Sequence, residues 1–179
     1  MLLTSIKEGN KGDRGITLTE MLLVVIVVSI LAAITTPSLI GLLNQSRVTG
    51  GFTQLRGAIK ESQRQAQRRG RQCKISIDTT KKTVDVSPPD TNGDYTGCLL
   101  NPRKLPDGVL IKTNYRSSKI NFSAKGNTSS AGTIVVYNPY TQSQKCIVIS
   151  LGLGIMRSGN YTGDVNNSVK AKHCQTTGA

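Results

Sequence analysis

The sequence has little that would support catalysis or base stacking. It contains no tryptophan, only 4% aromatic residues and one histidine, His173, among 179 residues. So few aromatic side chains exclude an extended platform on which nucleic-acid bases could stack. With one histidine, no base–nucleophile spacing and acids scattered through loops, general acid–base catalysis has no evident site. We therefore expect that the chain is not an enzyme and needs no cofactor.

The four cysteines lack the Cys-x-x-Cys spacing of zinc sites and thioredoxin-like motifs. An even number of scattered cysteines is typical of exported proteins, in which the cysteines form disulfides. Three pairings are open, and proximity in sequence favours Cys73–Cys98 and Cys146–Cys174. His173 beside Cys174 offers too few ligands for a metal ion, so no metal site is expected.

One turn-rich segment begins like a calcium-binding loop. Asp90, Asn92 and Asp94 put oxygen-bearing side chains at alternate positions. However, Tyr95 and Asn101 stand where such a loop needs glycine and a bidentate glutamate. Clusters of this kind also form ordinary turns, which is the interpretation we favour.

Negative charge is scarce as well. Lys and Arg number 23 against 10 Asp and Glu, which gives a net charge of +13. This balance favours anionic partners such as nucleic acid, acidic polysaccharide or lipid headgroups, and it says nothing about the fold.

Residues 16–43 form an apolar stretch with a single charge, that of Glu20. As a helix, the stretch is long enough to span a hydrocarbon core of about 30 Å. A charge at bilayer depth costs at least about 2.5 kcal/mol, so Glu20 is a candidate functional residue. Lys7, Lys11 and Arg14 precede the stretch and would hold the N-terminus in the cytoplasm.

Two ordinary kinds of segment compete for this region. A secretory signal peptide would be cleaved after its apolar core, and residues 32–35 match such a site only loosely. A plain membrane anchor accounts for the apolar run but leaves Gly15 and Glu20 unexplained.

The N-terminal pattern resembles the class III signal of type IV pilins and pseudopilins. A short basic leader ends at Gly15, and Ile16, Glu20 and an apolar helix containing Pro37 follow. The resemblance implies that a prepilin peptidase cuts between Gly15 and Ile16 and that the new N-terminus is methylated. It also implies that Glu20 neutralises the terminal amine of a neighbouring subunit, because a buried charge needs a partner. Pro37 removes a helix hydrogen bond and is expected to loosen the helix locally.

The helical pattern continues to about Arg69 and becomes amphipathic. Apolar residues at helical spacing form a stripe that should dock on a sheet: Val48, Phe52, Leu55, Ile59 and Ala66. Basic residues lie roughly opposite: Lys60, Arg64, Arg68 and Arg71. This basic face is either an ordinary solvated surface or a surface that binds nucleic-acid phosphates.

After Gly70, short alternating segments separated by turn residues predict antiparallel strands. The predicted strands are 73–78, 83–87, 109–114, 119–123, 133–138, 145–151 and 155–157. A long loop is predicted over 87–107, and an irregular tail from Asn160. The predicted fold is therefore α+β and pilin-like: a long N-terminal helix, with a transmembrane half and an amphipathic half, packed on an antiparallel β domain of two sheets.

This layout resembles the GspH/FimT group of minor pilins and pseudopilins. The group has a C-terminal Gly-Arg-x-Arg signature, in which Gly154 and Arg157 match the glycine and the second arginine. Ile155 stands in place of the first arginine. In FimT-type proteins this motif is linked to DNA capture, so Arg157 is a candidate DNA contact, with Lys170 and Lys172 nearby in the tail.

The resemblance implies four segments: a leader (1–15), a transmembrane and filament-core helix (16–43), an amphipathic helical half (44–71) and an external β domain with a tail (72–179). The implied function is that of a minor pilin of a type IV pilus, supporting DNA uptake or adhesion. A type II secretion pseudopilin is the nearest alternative, and a surface DNA-binding module is an alternative of another class.

The implied partners are prepilin peptidase, other pilin subunits, the inner-membrane assembly machinery, membrane lipid before assembly, and DNA. The chain would cross the inner membrane once, with a cytoplasmic N-terminus. It would then enter a pilus or pseudopilus at the cell surface or in the periplasm.

Overall fold

The computed structural model describes residues 15–91 and 93–176, without the side chains of residues 34–38. The chain divides into two compact units, Met1–Leu39 and Ile40–Ala179. One α-helix, α1 (Leu18–Arg69), contributes residues to both units. The basic leader residues Lys7, Lys11 and Arg14 lie outside the described residues.

In the first unit, the described part of α1 presents its large apolar side chains to solvent. Their exposed fractions run from 46% at Val27 to 83% at Leu18. In the part of the chain that the structure describes, no helical stretch is both long enough and apolar enough to cross a membrane.

The second unit contains two antiparallel sheets beside the rest of α1. The first sheet has the order β3-β2-β1-β5, with β1 (Cys73–Asp78), β2 (Thr83–Val86), β3 (Arg103–Lys104) and β5 (Lys119–Phe122). The second has the order β4-β6-β7-β8-β9, with β4 (Leu110–Thr113), β6 (Gly132–Tyr137), β7 (Gln144–Ile149), β8 (Met156–Tyr161) and β9 (Cys174–Gln175). The predicted α+β fold is thus confirmed.

The main core lies where α1 packs on the two sheets. Val48, Leu55, Ile59 and Ala66 of the predicted stripe are fully buried, and Phe52 packs against them. Both sheets contribute large side chains to the same cluster: Ile75, Ile77, Ile120, Phe122, Ile134, Ile147 and Ile149. Burial of this apolar surface fixes the helix on the sheets.

Strands β6 and β7 are buried on both faces. Ile134 and Val136 of β6 join the main core, whereas Val135 between them joins a second cluster on the opposite face. In β7, Ile147 joins the main core and Cys146 joins the second cluster. Side chains alternate between the faces of a strand, so an unbroken apolar run needs a cover on each side.

The C-terminal segment supplies that second cover. The prediction of an irregular tail from Asn160 is wrong for Asn160–Tyr161 and for residues 171–175, whereas residues 162–170 form no helix or strand. β8 extends to Tyr161, and a 3₁₀ turn (Ala171–His173) leads into β9. Apolar side chains of this segment pack on the outer face of the second sheet: Tyr161, Val165, Val169 and Cys174. The tail is therefore ordered by burial although its sequence is mostly polar.

The predicted loop over 87–107 also contains a strand that the pattern did not indicate. β3 pairs with β2 through Thr83 and Lys104, and the Leu105 N–H donates to the Lys82 carbonyl at 3.0 Å. A two-residue strand is too short to show a periodicity of two, so the sequence pattern carries no signal for it.

Two disulfides close the β domain, Cys73–Cys98 and Cys146–Cys174, with Cα–Cα distances of 5.5 and 5.8 Å. This is the pairing that proximity in sequence favours. The first ties the long loop to β1, and the second ties β9 to β7. A disulfide that closes a loop of this size contributes about 3–4 kcal/mol by restricting the unfolded chain.

Candidate assembly site and basic surface

The first turn of α1 is fixed by a cap that involves Glu20. The Met21 N–H donates to the Thr17 carbonyl at 3.1 Å, and the Glu20 N–H donates to Thr17 Oγ1 at 3.3 Å. Thr-x-x-Glu is the spacing of a capping box, and a carboxylate in the first turn is favoured by the helix dipole. Glu20 enters this cap through its backbone N–H, and its carboxylate in the first turn suits the helix dipole, in addition to the assembly role predicted for it.

Gly15 and Ile16 precede the helix and are exposed. The side chain of Ile16 is 67% accessible. A Cβ at Gly15 would have no described atom within 4 Å. Cleavage between Gly15 and Ile16 stays a prediction. The side chain of Pro37 lies outside the described residues, so its role stays a prediction.

Three of the predicted cations share one surface of α1. Arg64 and Arg68 are exposed and Lys60 is half-buried, and together with Glu61 they line a shallow depression. The carboxylate of Glu61 accepts hydrogen bonds from the Leu100 N–H at 2.7 Å and from Arg103 at 3.0 Å. Because the one acid on this surface is already neutralised by another arginine, the surface keeps a net positive charge. We call Lys60, Arg64 and Arg68 the basic surface.

Arg71 belongs to a different environment. Hydrogen bonds from the backbone and hydroxyl of Thr96 hold the pKa of Asp94 below its usual value, and Arg71 and Arg69 lower that pKa further by their charge. The guanidinium of Arg69 also donates to the Thr96 carbonyl. The charge of Arg71 thus acts on the Asp94 carboxylate, and Arg71 does not line the depression of the basic surface.

Asp90, the first residue of the calcium-like loop, is engaged by protein groups. Its carboxylate forms an ion pair with Lys74 and accepts a hydrogen bond from the Tyr95 hydroxyl at 2.6 Å. Hydrogen bonding of the Lys74 side chain with Asp90, and then with Tyr95, raises the pKa of Lys74, whose ammonium also lies 4.8 Å from the centre of the Tyr95 ring. Asn92 lies outside the described residues. Across residues 15–91 and 93–176, no three His, Cys, Asp or Glu side chains are grouped to hold a metal ion.

The glycine of the C-terminal signature has a structural role. Gly154 is buried with a φ of +64°, and a Cβ there would approach the Gly126 carbonyl oxygen to 2.8 Å. The Gln63 amide of α1 donates to the carbonyls of both glycines, at 3.2 Å to Gly154 and 2.9 Å to Gly126. Arg157 is exposed on β8 and does not line the depression of the basic surface.

Comparison with solved structures finds likenesses of fold. The type IV minor pilin FimU of Pseudomonas aeruginosa (strain PAO1) is 17% identical, with a TM-score of 0.48, over 64% of this chain and 86% of that one. A second crystal form of FimU is 14% identical, with a TM-score of 0.49, over 70% and 97%. The minor pseudopilin EpsH from the type 2 secretion system of Vibrio cholerae is 10% identical, with a TM-score of 0.48, over 62% and 96%.

Comparison with curated proteins finds no significant match. Two family models do match. Residues 53–153 match the family described as type II transport protein GspH, and residues 10–36 match the prokaryotic N-terminal methylation motif. Since the first match covers more than half of the chain, the chain belongs to the GspH family of minor pilins and pseudopilins, which are structural subunits and not enzymes.

Proposed function

We propose that the chain is a minor pilin, a structural subunit of a type IV pilus that is assembled after cleavage between Gly15 and Ile16. One observation carries the proposal: residues 10–36, which include Gly15, Ile16 and Glu20, match the prokaryotic N-terminal methylation motif. The methylation motif over residues 10–36 supports processing by a prepilin peptidase and assembly with other pilins.

Assembly follows from the chemistry of the processed end. Residues 16–43 anchor the chain in the inner membrane and then pack in the filament core, where the terminal amine of Ile16 leaves water. A charged amine in apolar surroundings needs an opposite charge. Glu20 of a neighbouring subunit supplies it, and the two charges neutralise one another. The β domain is then displayed on the filament surface or at its tip.

Mass spectrometry of the N-terminal peptide tests this proposal, in membranes and in filaments sheared from cells. We expect N-methylated Ile16 in the sheared fraction. An intact Met1 in both fractions would overturn processing at Gly15 and with it the whole proposal.

A type II secretion pseudopilin is the second candidate, and the description of the matching family favours it. The same measurement separates the two, because a pseudopilus subunit would carry methylated Ile16 in membranes and be missing from sheared pili. Deletion of the gene would then reduce secretion of type II substrates and leave piliation unchanged.

DNA binding is a candidate of another class, and the unneutralised charge of the basic surface favours it. We expect full-length protein in detergent to bind duplex DNA with an affinity that falls as salt rises. Each phosphate contact contributes about −0.9 to the slope of log K against log salt. Replacing Arg64 and Arg68 by alanine should therefore make that slope shallower by roughly 2.

Lys81 and Lys104, exposed on the β domain, give the matched control pair. Their replacement by alanine should leave the slope nearly unchanged. If the slope became shallower by the same amount in both double variants, DNA binding would depend only on diffuse positive charge. If the protein bound no DNA at low salt, its function as a DNA-binding module would be excluded.

A further inference from the structure

Exposed apolar side chains of the β domain are concentrated in one loop. Among the described residues after Leu43, five large apolar side chains are exposed: Leu100, Tyr140, Leu151, Leu153 and Ile155. Three of the five lie in the turn between β7 and β8, with exposed fractions of 58–69%. We call Leu151–Ile155 the apolar loop. Such concentration is typical of an interaction site, whereas scattered exposed residues are ordinary.

The backbone of the apolar loop is fixed although its side chains are not buried. Gly152 and Thr128 exchange two backbone hydrogen bonds, of 2.9 and 2.7 Å. The Ser150 N–H donates to the Ile155 carbonyl at 3.0 Å, and Gln63 of α1 holds the Gly154 carbonyl. The apolar side chains are thus presented on a preorganised backbone, which lowers the entropy that a partner would have to remove.

Beside the apolar loop lies a strand edge that is open among the described residues. β8 pairs with β7 from Met156 to Asn160 but with β9 only at Asn160 and Tyr161. In an antiparallel ladder, alternate residues direct their N–H and C=O groups to the same neighbour. The backbone N–H and C=O groups of Met156 and Ser158 therefore point away from β7, to the side on which Asn160 pairs with β9. No described strand pairs with Met156 or Ser158 on that side.

Charge restricts what can bind this edge. Arg157 is exposed between the two outward-facing residues, so an incoming strand would be stabilised by a carboxylate opposite it. A second copy of this chain is a poor partner, because each copy carries a net charge of +13 and the copies repel one another. The edge and the loop therefore favour a partner that is extended, partly apolar and acidic.

We propose that the apolar loop and the β8 edge form a docking site for an acidic, extended strand of a partner protein. The strand extends the second sheet through the backbone groups of Met156 and Ser158, as in strand addition to a sheet edge. Its apolar side chains cover Leu153 and Ile155, and its carboxylate meets Arg157. The site belongs to the β domain and depends neither on processing at Gly15 nor on the type of filament.

Site-specific photo-crosslinking of the full-length protein in its own cells tests this site. The photoreactive residue p-benzoylphenylalanine is placed at Ser158 and, as a control, at Tyr140, which is 84% exposed at another turn. We expect a discrete adduct from Ser158 whose linked peptide is an extended, carboxylate-bearing segment of another protein. The Tyr140 control should not give this adduct.

Charge reversal then tests the predicted chemistry. Arg157→Glu should abolish the Ser158 adduct, whereas Arg116→Glu, the same change at an exposed turn, should preserve it. Intact disulfides on a non-reducing gel show that the variants fold, and methylated Ile16 in the same sample reports processing separately. An adduct only with a second copy, the same adduct from Tyr140, an adduct insensitive to Arg157→Glu, or no adduct from folded protein would each overturn the proposal.

Discussion

Replacing Glu20 by glutamine is expected to remove the chain from sheared filaments while leaving its processing at Gly15 unchanged. The variant keeps the size and hydrogen-bonding atoms of the side chain but loses its charge. Without that charge, the terminal amine of the neighbouring subunit would be buried without a partner. Removing one member of a buried ion pair costs about 3–5 kcal/mol, which corresponds to a loss of at least a hundredfold in incorporation.

Glutamine is the informative substitution because it separates the two roles of this residue. The cap on Thr17 uses the backbone N–H of residue 20, so it is retained in the variant. The helix should therefore still begin at Leu18 in the variant. A loss of incorporation then reports the missing charge and not a frayed helix.

Glu8→Gln provides the matched control, since the same change falls within the predicted leader and is removed on cleavage. Immunoblots of sheared and membrane fractions compare the two variants with the unaltered protein. Equal amounts of Glu20→Gln and unaltered protein in the sheared fraction would contradict the charge-neutralising role of Glu20.

Periodicity was sufficient to predict most of the architecture. The apolar stripe of α1 repeats at helical spacing, and each of its residues packs in the main core as expected. Strand β1 was predicted with its observed bounds, Cys73–Asp78, because its side chains alternate between buried and half-buried positions. Such local patterns predict structure because one face of each helix or strand packs against the core.

The tail and the grouping of charges could not be predicted in this way. Val165 and Val169 are isolated apolar residues in a polar segment, and only the outer face of β6 and β7 gives them a place to pack. Glu61 and Arg103 meet across 42 residues of sequence. Helical spacing placed Arg71 with Arg64 and Arg68, but the helix ends at Arg69, and Arg71 does not line the depression with them.

Replacing Gly159 by alanine is expected to destabilise the β domain. The need for glycine at this position comes from a tertiary contact with the tail. Gly159 is buried in β8 opposite Cys146. A Cβ there would overlap the Gln175 carbonyl and approach the Thr176 Cα to 2.9 Å. Glycine is required at a point where another backbone approaches this closely. The tail therefore crosses β8 at a position that no other residue type can occupy without displacing it.

The displacement is resisted by the Cys146–Cys174 disulfide, which holds the tail one residue before the overlap. Overpacking of this kind costs about 1–3 kcal/mol. We expect the melting temperature of Gly159→Ala to fall by about 5–10 °C. Calorimetry of the full-length protein in detergent measures this change. The Cys146–Cys174 bond should also become more accessible to dithiothreitol, because the strand that covers it is displaced.

Gly57→Ala is the matched control and should have the opposite sign. Gly57 lies on the exposed side of α1, and a Cβ there would have no atom within 4 Å. In a helix interior, alanine is more favourable than glycine by about 0.5–1 kcal/mol, so this variant should melt a few degrees higher. A Gly159→Ala protein that melted at or above the temperature of the unaltered protein would contradict this prediction. It would show that the tail can move away from β8 at no cost, and that the disulfide, without close packing at Gly159, holds the tail in place.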